Sequence, residues 1–194
     1  PLEWQNNDYR AYCNIFTQFL MTAYFIKEIY HGDMHMGNLV FMKDPVTHAH
    51  RLGVIDFGVV GTLTVDSQNF IYNLLETFSN NDYKALVGTY VTYVVKLKNL
   101  TNPVMVADIT RNAIESLERH KCTNIYEFSH THLFLLQREL NRYNLVLDKN
   151  INIYLFSVMS MIETLKELSS KDIESNITLV FNRLNNTLND NLDP

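Results

Sequence analysis

The segment YHGDMHMGNLVF, residues 30–41, concentrates side chains that bind metals and move protons. Immediately before a short apolar run it contains two imidazoles, one carboxylate and one amide: His31, His35, Asp33 and Asn38. A second apolar run, 52–55, leads directly into the carboxylate of Asp56. The chemistry therefore depends on whether the intervening chain brings these groups together.

The chain between the two groups predicts a β-hairpin. Residues 39–42 and 52–55 are rich in β-branched and aromatic side chains, and a polar stretch at 43–51 separates them. Antiparallel strands lie about 4.8 Å apart, and the start of one strand lies beside the end of the other. Asn38 and Asp56 should therefore share one location. Amide and carboxylate oxygens suit Mg²⁺, which binds substrate phosphates beside one or two protein groups.

Asp33 lies five residues before Asn38 in the same loop. Its carboxylate would face the metal and orient the proton of an attacking hydroxyl or water. The order His31-x-Asp33-x-x-x-x-Asn38, followed across a hairpin by Asp-Phe-Gly at 56–58, is the catalytic-loop and metal-loop layout of the protein-kinase fold. Either half alone is a weak signal, but the two together in this order are specific.

The elements that must position the segment are predicted from the apolar pattern. Residues 8–30 predict one long, largely buried helix that ends just before the loop, with Asn6 or Asn7 as its cap. Three residues are predicted to lie solvated at the exposed tip of the hairpin: Pro45, His48 and His50.

The rest of the chain predicts helices. They fall at 65–79, from Asn81 or Asp82 to about 96, and at 104–120, 128–143, 150–168 and 170–188. Thr64 is the predicted cap of the first helix, and Asn102 with Pro103 forms the predicted start of the third.

Composition predicts a globular chain with one domain. The chain has 194 residues, 46% of them hydrophobic, and a formal net charge of -5. We expect a single unit, 1–194, with the loop and hairpin in 1–63 and helices in 64–194. No concentrated basic patch is present, so no nucleic-acid partner is expected. Cys13 and Cys122 lack metal or redox spacing, which favours a reducing intracellular compartment, and no apolar stretch is long enough to cross a bilayer.

The sequences HGDMHMGNLVF and VIDFGVVGTL resemble the UbiB family of atypical kinases, also called aarF-domain-containing kinases. Members typically carry an H-A-D-x-H-P-G-N loop and a D-F-G-x-x-G sequence. The later segment NNDYKALVGTYV is similar to a family segment of N-x-D-Y type. The resemblance implies a mainly α (α+β) fold: the C-terminal lobe of a protein-kinase-like fold, a helical bundle with a β-hairpin at its active edge.

The resemblance assigns roles to individual residues. Asp33 is matched to the catalytic-loop aspartate, and His31 to the histidine that braces the loop. Asn38 and Asp56 are matched to the two ligands of Mg²⁺. The positions matched to cofactor binding are Asn38, Asp56, Phe57 and Gly58.

Some positions depart from the family pattern. His35 and Gly37 match it, whereas Gly32 and Met36 stand where Ala and Pro are common. Neither departure removes a ligand. No A-P-E sequence follows Gly58, so the peptide-substrate platform of ordinary protein kinases is not expected.

The resemblance also implies parts that these 194 residues do not supply. The family places a nucleotide-covering loop, a phosphate-pairing lysine and a K-x-G-Q motif in an upstream N-lobe. The sequence begins at Pro1, without a methionine or leader, so we expect a piece of a longer protein that is inactive alone. With an N-lobe, ATP and Mg²⁺ would support phosphoryl transfer or ATP hydrolysis. The implied setting is quinone or isoprenoid-lipid metabolism, with a lipid or quinone-precursor ligand and membrane association.

Two alternatives remain open at this point. The first is a degenerate kinase-like scaffold that binds a ligand without catalysis. Its groove would use Tyr143, Tyr154 and the Met159/Met161 region, although such residues at helical spacing more often form core. The second is a metal-dependent hydrolase.

The hydrolase would use imidazole and carboxylate groups as direct zinc or iron ligands: His31, Asp33 and His35. His130 and His132 are the paired candidates downstream, and at i and i+2 on a helix they would point to different faces.

Overall fold

The computed structural model describes residues 4–128 and 130–169. It is mainly helical, with two antiparallel pairs of strands. The elements in chain order are α1 (Asn6–Met21), β1 (Ile29–His31), β2 (Leu39–Lys43), β3 (His50–Val54), β4 (Val60–Thr62), α2 (Val65–Ser79), α3 (Tyr83–Leu97), α4 (Pro103–Arg119), α5 (His130–Asn141) and α6 (Lys149–Ser169). The prediction of a mainly α fold with a small β element is confirmed.

The chain divides into two compact units. Of the described residues, 4–68 and 153–169 form the first unit, and 69–128 with 130–152 form the second. The loop and hairpin that carry the candidate chemistry lie wholly in the first unit. The single-domain organisation of 1–194 stays a prediction.

The first helix is shorter than the sequence predicts. It begins after Gln5, whose backbone N–H donates to the Asp8 carboxylate over 3.0 Å, so the predicted cap at Asn6 or Asn7 is wrong. A π-helical turn follows at Thr22–Ile26, and Glu28 takes a left-handed conformation with φ 55°. That conformation ends the helix, and the chain continues as β1 rather than as helix to residue 30.

The strand pair β1–β4 was not predicted. Ile29 lies opposite Thr62, and Tyr30 lies opposite Gly61. A Cβ at position 61 would lie 2.3 Å from the Tyr30 ring, so the aromatic ring occupies the space that a side chain there would need. Strands of three residues are too short to show the alternation of apolar and polar side chains that predicts a strand. The pairing also joins residues about 30 positions apart in the chain.

The predicted hairpin is confirmed. Strands β2 and β3 pair antiparallel from Leu39↔Val54 to Lys43↔His50. Pro45 and His48 are exposed in the tip, as predicted. The prediction for His50 is wrong, because His50 is the first residue of β3 and its Nε2 lies 2.7 Å from Asp8 Oδ1.

A buried carboxylate connects the hairpin to α1. Asp8 Oδ1 accepts from Lys43 Nζ over 2.6 Å and faces His50 Nε2 at 2.7 Å. The hydrogen bond from Lys43, followed by those from His50 and the Gln5 backbone, holds the pKa of Asp8 well below its usual range. The sequence gives no sign of this cluster because its members are 35 to 42 residues apart.

The part of α6 in the first unit is buried on most of its surface. Tyr154, Met159 and Met161 are all buried, as expected for core residues, and Tyr154 Oη donates to the Ser67 carbonyl over 2.8 Å. Thr64 caps α2 as predicted, since its Oγ1 accepts from the Ser67 N–H over 3.2 Å.

The second unit contains α2 from residue 69 onward, α3, α4, α5 and the first residues of α6. Asp82 and Asn102 cap α3 and α4 as predicted, with Pro103 in the first turn of α4. α5 begins at His130 rather than 128, because a short 3₁₀ turn capped by Asn124 precedes it. The fully buried side chains come mainly from α3, α4 and α5: Leu86, Val87, Tyr90, Val91, Val94, Ile109, Ala113, Leu117, Leu133 and Leu136.

The helix predicted at 170–188 lies outside the described residues. No helix within 4–128 or 130–169 is both long and apolar enough to span a bilayer.

We predict that Asp8→Asn lowers the urea midpoint of the chain at pH 7. A carboxylate with a depressed folded pKa stabilises the folded state above its unfolded pKa, near 3.9, and this contribution is lost as the pH falls below about 4. The difference from wild type should therefore shrink between pH 5 and pH 3. Asp108→Asn, which removes an exposed pair with Arg111, is the control and should change the midpoint little. A difference in urea midpoint between wild type and Asp8→Asn that stays constant with pH would contradict the prediction.

Candidate active site

The loop between β1 and β2 is held by hydrogen bonds within a few residues. The N–H of Gly32 donates to Val59 O over 2.7 Å, and the N–H of His35 donates to Asp33 O over 3.1 Å. The N–H of Asn38 donates to His35 O over 2.9 Å, which starts the 3₁₀ turn that leads into β2. The loop therefore has a defined backbone path between the two strands.

The side chains of Asp33 and Asn38 contact each other directly. Asn38 Nδ2 donates to Asp33 O over 2.9 Å and to Asp33 Oδ2 over 3.1 Å. Both partners can only accept, so the amide oxygen must point elsewhere. Among the described residues no group donates to Asn38 Oδ1. Asn38 thus orients the exposed Asp33 carboxylate and keeps an oxygen available for a ligand.

The hairpin brings Asp56 to the same end of the sheet as Asn38. The N–H of Ile55 donates to Asn38 O over 3.0 Å, which extends the strand pairing by one step beyond Leu39↔Val54. Asp56 follows with φ 57°, a left-handed conformation that Asp and Asn tolerate better than most residues. Its Oδ1 accepts from the Gly58 N–H over 3.2 Å. One carboxylate oxygen of Asp56 is therefore occupied within the turn, and the residue is exposed.

His31 is buried below the loop, with only 4% of its surface exposed. The backbone N–H of Asp33 donates to His31 Nδ1 over 3.2 Å, so the ring proton resides on Nε2. That Nε2 is buried and has no hydrogen-bond partner in the described part of the chain. The ring also packs edge-on against Phe57, with centroids 5.4 Å apart. Phe57 itself is 62% exposed.

The outer face of the hairpin carries exposed apolar side chains, together with the exposed Arg51 opposite Met42. Val40 lies opposite Gly53, and Met42 lies two residues further along the same face. Ile55 lies on that face as well, two residues beyond Gly53. Val40, Met42 and Ile55 are all exposed, and a Cβ at Gly53 would lie 3.5 Å from both Met42 Cε and Val40 Cβ, so these two side chains flank the glycine. We call these four residues the apolar platform.

Two hydroxyl groups that the sequence interpretation missed also contact the loop. Ser157 Oγ donates to His31 O, and Thr164 Oγ1 donates to Met34 O over 3.2 Å. Both lie in the part of α6 that belongs to the first unit. The sequence does not distinguish them from the other polar residues of this helix, such as Ser160, Glu163 and Lys166.

The ligands proposed for a hydrolase do not form a metal site. His35 Nε2 lies 3.4 Å from Asp33 Oδ2, but His31 uses Nδ1 to accept from the backbone. The described residues contain no group of three or more His, Cys, Asp or Glu that could hold a metal. His132 Nε2 lies 3.5 Å from His120 O, and the side chain of His130 falls outside the described part.

Comparison with known proteins gives a family model and several curated relatives that are similar to this chain. Residues 3–90 match the ABC1 atypical kinase-like domain. The chain is similar to a probable protein kinase UbiB of Photorhabdus laumondii, at 30% identity over 90 residues, 46% of this chain and 16% of the relative. A UbiB of Actinobacillus pleuropneumoniae is 28% identical over 133 residues, 64% of this chain and 23% of the relative. A probable protein kinase UbiB of Shewanella piezotolerans is 24% identical over 156 residues, which are 77% of this chain and 27% of the relative.

These matches identify residues 3–90 as similar to an atypical kinase-like domain. Residues 3–90, which contain the loop and the hairpin, are similar to the UbiB family of atypical kinase-like proteins. The chain spans between a sixth and about a quarter of the length of these relatives. No solved structure gives a significant match.

Gly32, which stands where alanine is common in the family, lies in a position that has no room for a side chain. A Cβ at position 32 would lie 2.3 Å from Val59 Cγ1 and 2.9 Å from Ile153 Cγ2. The alanine common in the family therefore does not fit beside these two side chains.

We predict that Gly32→Ala destabilises the folded chain by about 1–3 kcal/mol, the usual cost of overpacking. Adding Val59→Ala should recover part of the loss, because it removes the closest contact. Urea denaturation of the single and double variants measures both effects. Additive losses in the double variant would contradict the steric explanation.

Proposed function

We propose that this chain is the C-terminal lobe of a UbiB-type atypical kinase or ATPase. In the full-length protein it would use Mg²⁺ and ATP for phosphoryl transfer or ATP hydrolysis. The observation that carries the proposal is the fold-back of the hairpin, in which Ile55 N–H donates to Asn38 O over 3.0 Å. Asn38 therefore lies opposite Ile55 in the strand pairing, and Asp56 is the next residue after Ile55.

The available oxygens suit a magnesium ion. Asn38 Oδ1 has no donor among the described residues, and Asp56 uses only Oδ1 in the turn with Gly58. An amide and a carboxylate are hard ligands of the kind that Mg²⁺ combines with water and phosphate oxygens. When bound, Mg²⁺ would neutralise charge on the transferring phosphate. Asn38 and Asp56 would be its protein ligands, with Phe57 and Gly58 in the same nucleotide-binding turn.

Asp33 is suited to hold the proton of the attacking group. Its carboxylate is exposed, and the Asn38 amide fixes one of its oxygens. The other oxygen would accept a hydrogen bond from an acceptor hydroxyl or water. His31 would brace the loop from below through the bond from Asp33 N–H to its Nδ1.

The apolar platform supports nucleotide binding at the same end of the hairpin. Val40, Met42, Gly53 and Ile55 present exposed apolar surface against which a purine ring would pack, with the exposed Arg51 on the same face. The platform begins two residues after Asn38 and ends one residue before Asp56. A nucleotide lying on it would have its phosphates directed to the proposed metal ligands.

The remaining partners are proposed from the family resemblance. An N-lobe would supply the phosphate-pairing lysine and the K-x-G-Q motif. A lipid or quinone-precursor ligand, a membrane-associated setting and a reducing compartment belong to the same proposal. A second candidate, a binding scaffold without turnover, is favoured by Met36, which replaces the proline common in the family loop.

We predict that Asp56→Asn in the full-length protein weakens Mg²⁺-dependent ATP binding at least about tenfold. Asn tolerates the left-handed backbone of position 56, so the substitution removes the charge while keeping the turn. Calorimetric titration of ATP with and without Mg²⁺ measures the effect.

Asp44→Asn is the matched control. Asp44 caps the opposite end of the same hairpin, about 20 Å from Asn38 along the strand at ~3.4 Å per residue, and it accepts from the N–H groups of Val46 and Thr47. It should leave ATP binding unchanged. Equal ATP affinities for wild type and Asp56→Asn would refute the proposed metal site, and intact binding without any turnover would favour the scaffold.

A further inference from the structure

Two buried hydroxyl groups of α6 hydrogen-bond to the backbone of the candidate catalytic loop. Ser157 Oγ donates to the carbonyl of His31, and Thr164 Oγ1 donates to the carbonyl of Met34 over 3.2 Å. Ser157 is 0% exposed and Thr164 is 2% exposed. The two carbonyls lie on either side of Asp33 in the sequence. The bonds therefore fix the backbone before and after the proposed proton acceptor.

Ser157 and Thr164 are seven residues apart, so they lie on one face of the helix, about 10.5 Å apart along its axis. His31 and Met34 lie on either side of the turn at 32–33. One face of the helix thus contacts the loop at two points, one before and one after Asp33.

A third residue sets the direction of one of these bonds. Ser157 has one hydroxyl proton, which it gives to the His31 carbonyl, so the Tyr24 hydroxyl must donate to Ser157 Oγ, 3.3 Å away. Tyr24 is buried, and burial raises its pKa to about 12, so it stays protonated at neutral pH. The order of donation runs from Tyr24 to Ser157 and on to the loop.

These bonds differ from the usual use of hydroxyls inside helices. Buried Ser and Thr side chains in helices commonly donate to the carbonyl four residues earlier in their own helix. Thr17 of α1 does so, with Oγ1 2.7 Å from Cys13 O. Thr164 and Ser157 instead donate across to the loop. Asn38 Nδ2 in turn donates to Asp33 O, so a loop backbone fixed at 31 and 34 also fixes the proposed metal ligand.

We propose that Ser157 and Thr164, supported by Tyr24, are positioning residues that set the geometry of Asp33 and Asn38. The proposal rests on the proposed function for its catalytic meaning. It assigns to α6, a helix without any motif of its own, the role of aligning the catalytic loop.

The test compares two isosteric substitutions in the 194-residue chain. Thr164→Val removes the hydroxyl that reaches the loop, whereas Thr17→Val removes an equally buried hydroxyl that bonds within its own helix. Hydrogen exchange of the Asp33, His35 and Asn38 amides should become about five- to tenfold faster in Thr164→Val, the effect expected for one lost hydrogen bond. Thr164→Ser should restore wild-type exchange, and Thr17→Val should leave loop exchange unchanged.

Equal loop exchange in Thr164→Val and Thr17→Val would overturn the proposal, as would failure of Thr164→Ser to restore protection. Ser157→Ala provides an independent arm and should accelerate exchange at Asp33 if the His31 carbonyl is released.

The full-length protein supplies the catalytic arm. Thr164→Val should lower kcat by tenfold or more, since small displacements of a reacting group reduce rates by about a hundredfold. The KM for ATP should rise by a smaller factor, because Asn38, the proposed metal ligand, is displaced together with Asp33. A change in KM alone would overturn the positioning role. Absence of Mg-ATP turnover in the wild-type protein would instead overturn the proposed function, and the exchange comparison would still decide whether the hydroxyls hold the loop.

Discussion

The candidate site depends on one backbone hydrogen bond, from the N–H of Ile55 to the carbonyl of Asn38 over 3.0 Å. This bond continues the antiparallel register of β2 and β3 by one step past Leu39↔Val54. It brings an amide and a carboxylate that are 18 positions apart in sequence to one end of a two-stranded sheet. A slip of register by one residue would turn every side chain of a strand to the other face. The chemistry proposed for Asn38 and Asp56 therefore requires this register.

The rest of the first unit stabilises that arrangement by polar contacts at several points. Near the hairpin tip, the buried Asp8 carboxylate holds Lys43 and His50, which are paired across the strands. At the other end, the loop is held by Ser157 and Thr164 of α6. A two-stranded hairpin alone is marginally stable in water. Contacts at both ends explain how a short sheet can have a defined geometry at its open end.

Local sequence signals predicted the parts of this unit that are set by neighbouring residues. The hairpin was predictable because two β-rich runs flank a polar stretch, and the helix starts at Thr64, Asp82 and Asn102 were predictable from their capping side chains. The loop motif was predictable from residue spacing alone. Each of these predictions uses residues fewer than about twenty positions apart.

Features set by distant residues could not be predicted. The sequence places His50 in a loop because its contact with Asp8 joins residues 42 positions apart. It places residues 29–31 at the end of a helix because their pairing with β4 joins residues about 30 positions apart. The role of Ser157 is invisible without the His31 carbonyl. The central claim is that Asn38 and Asp56 share one divalent cation, and Mn²⁺ titration followed by amide NMR tests it most directly. We expect Mn²⁺ to broaden the amides of 33–38 and 55–58 first, and Asp56→Asn to abolish the effect; broadening centred elsewhere, or unchanged by the substitution, would contradict the claim.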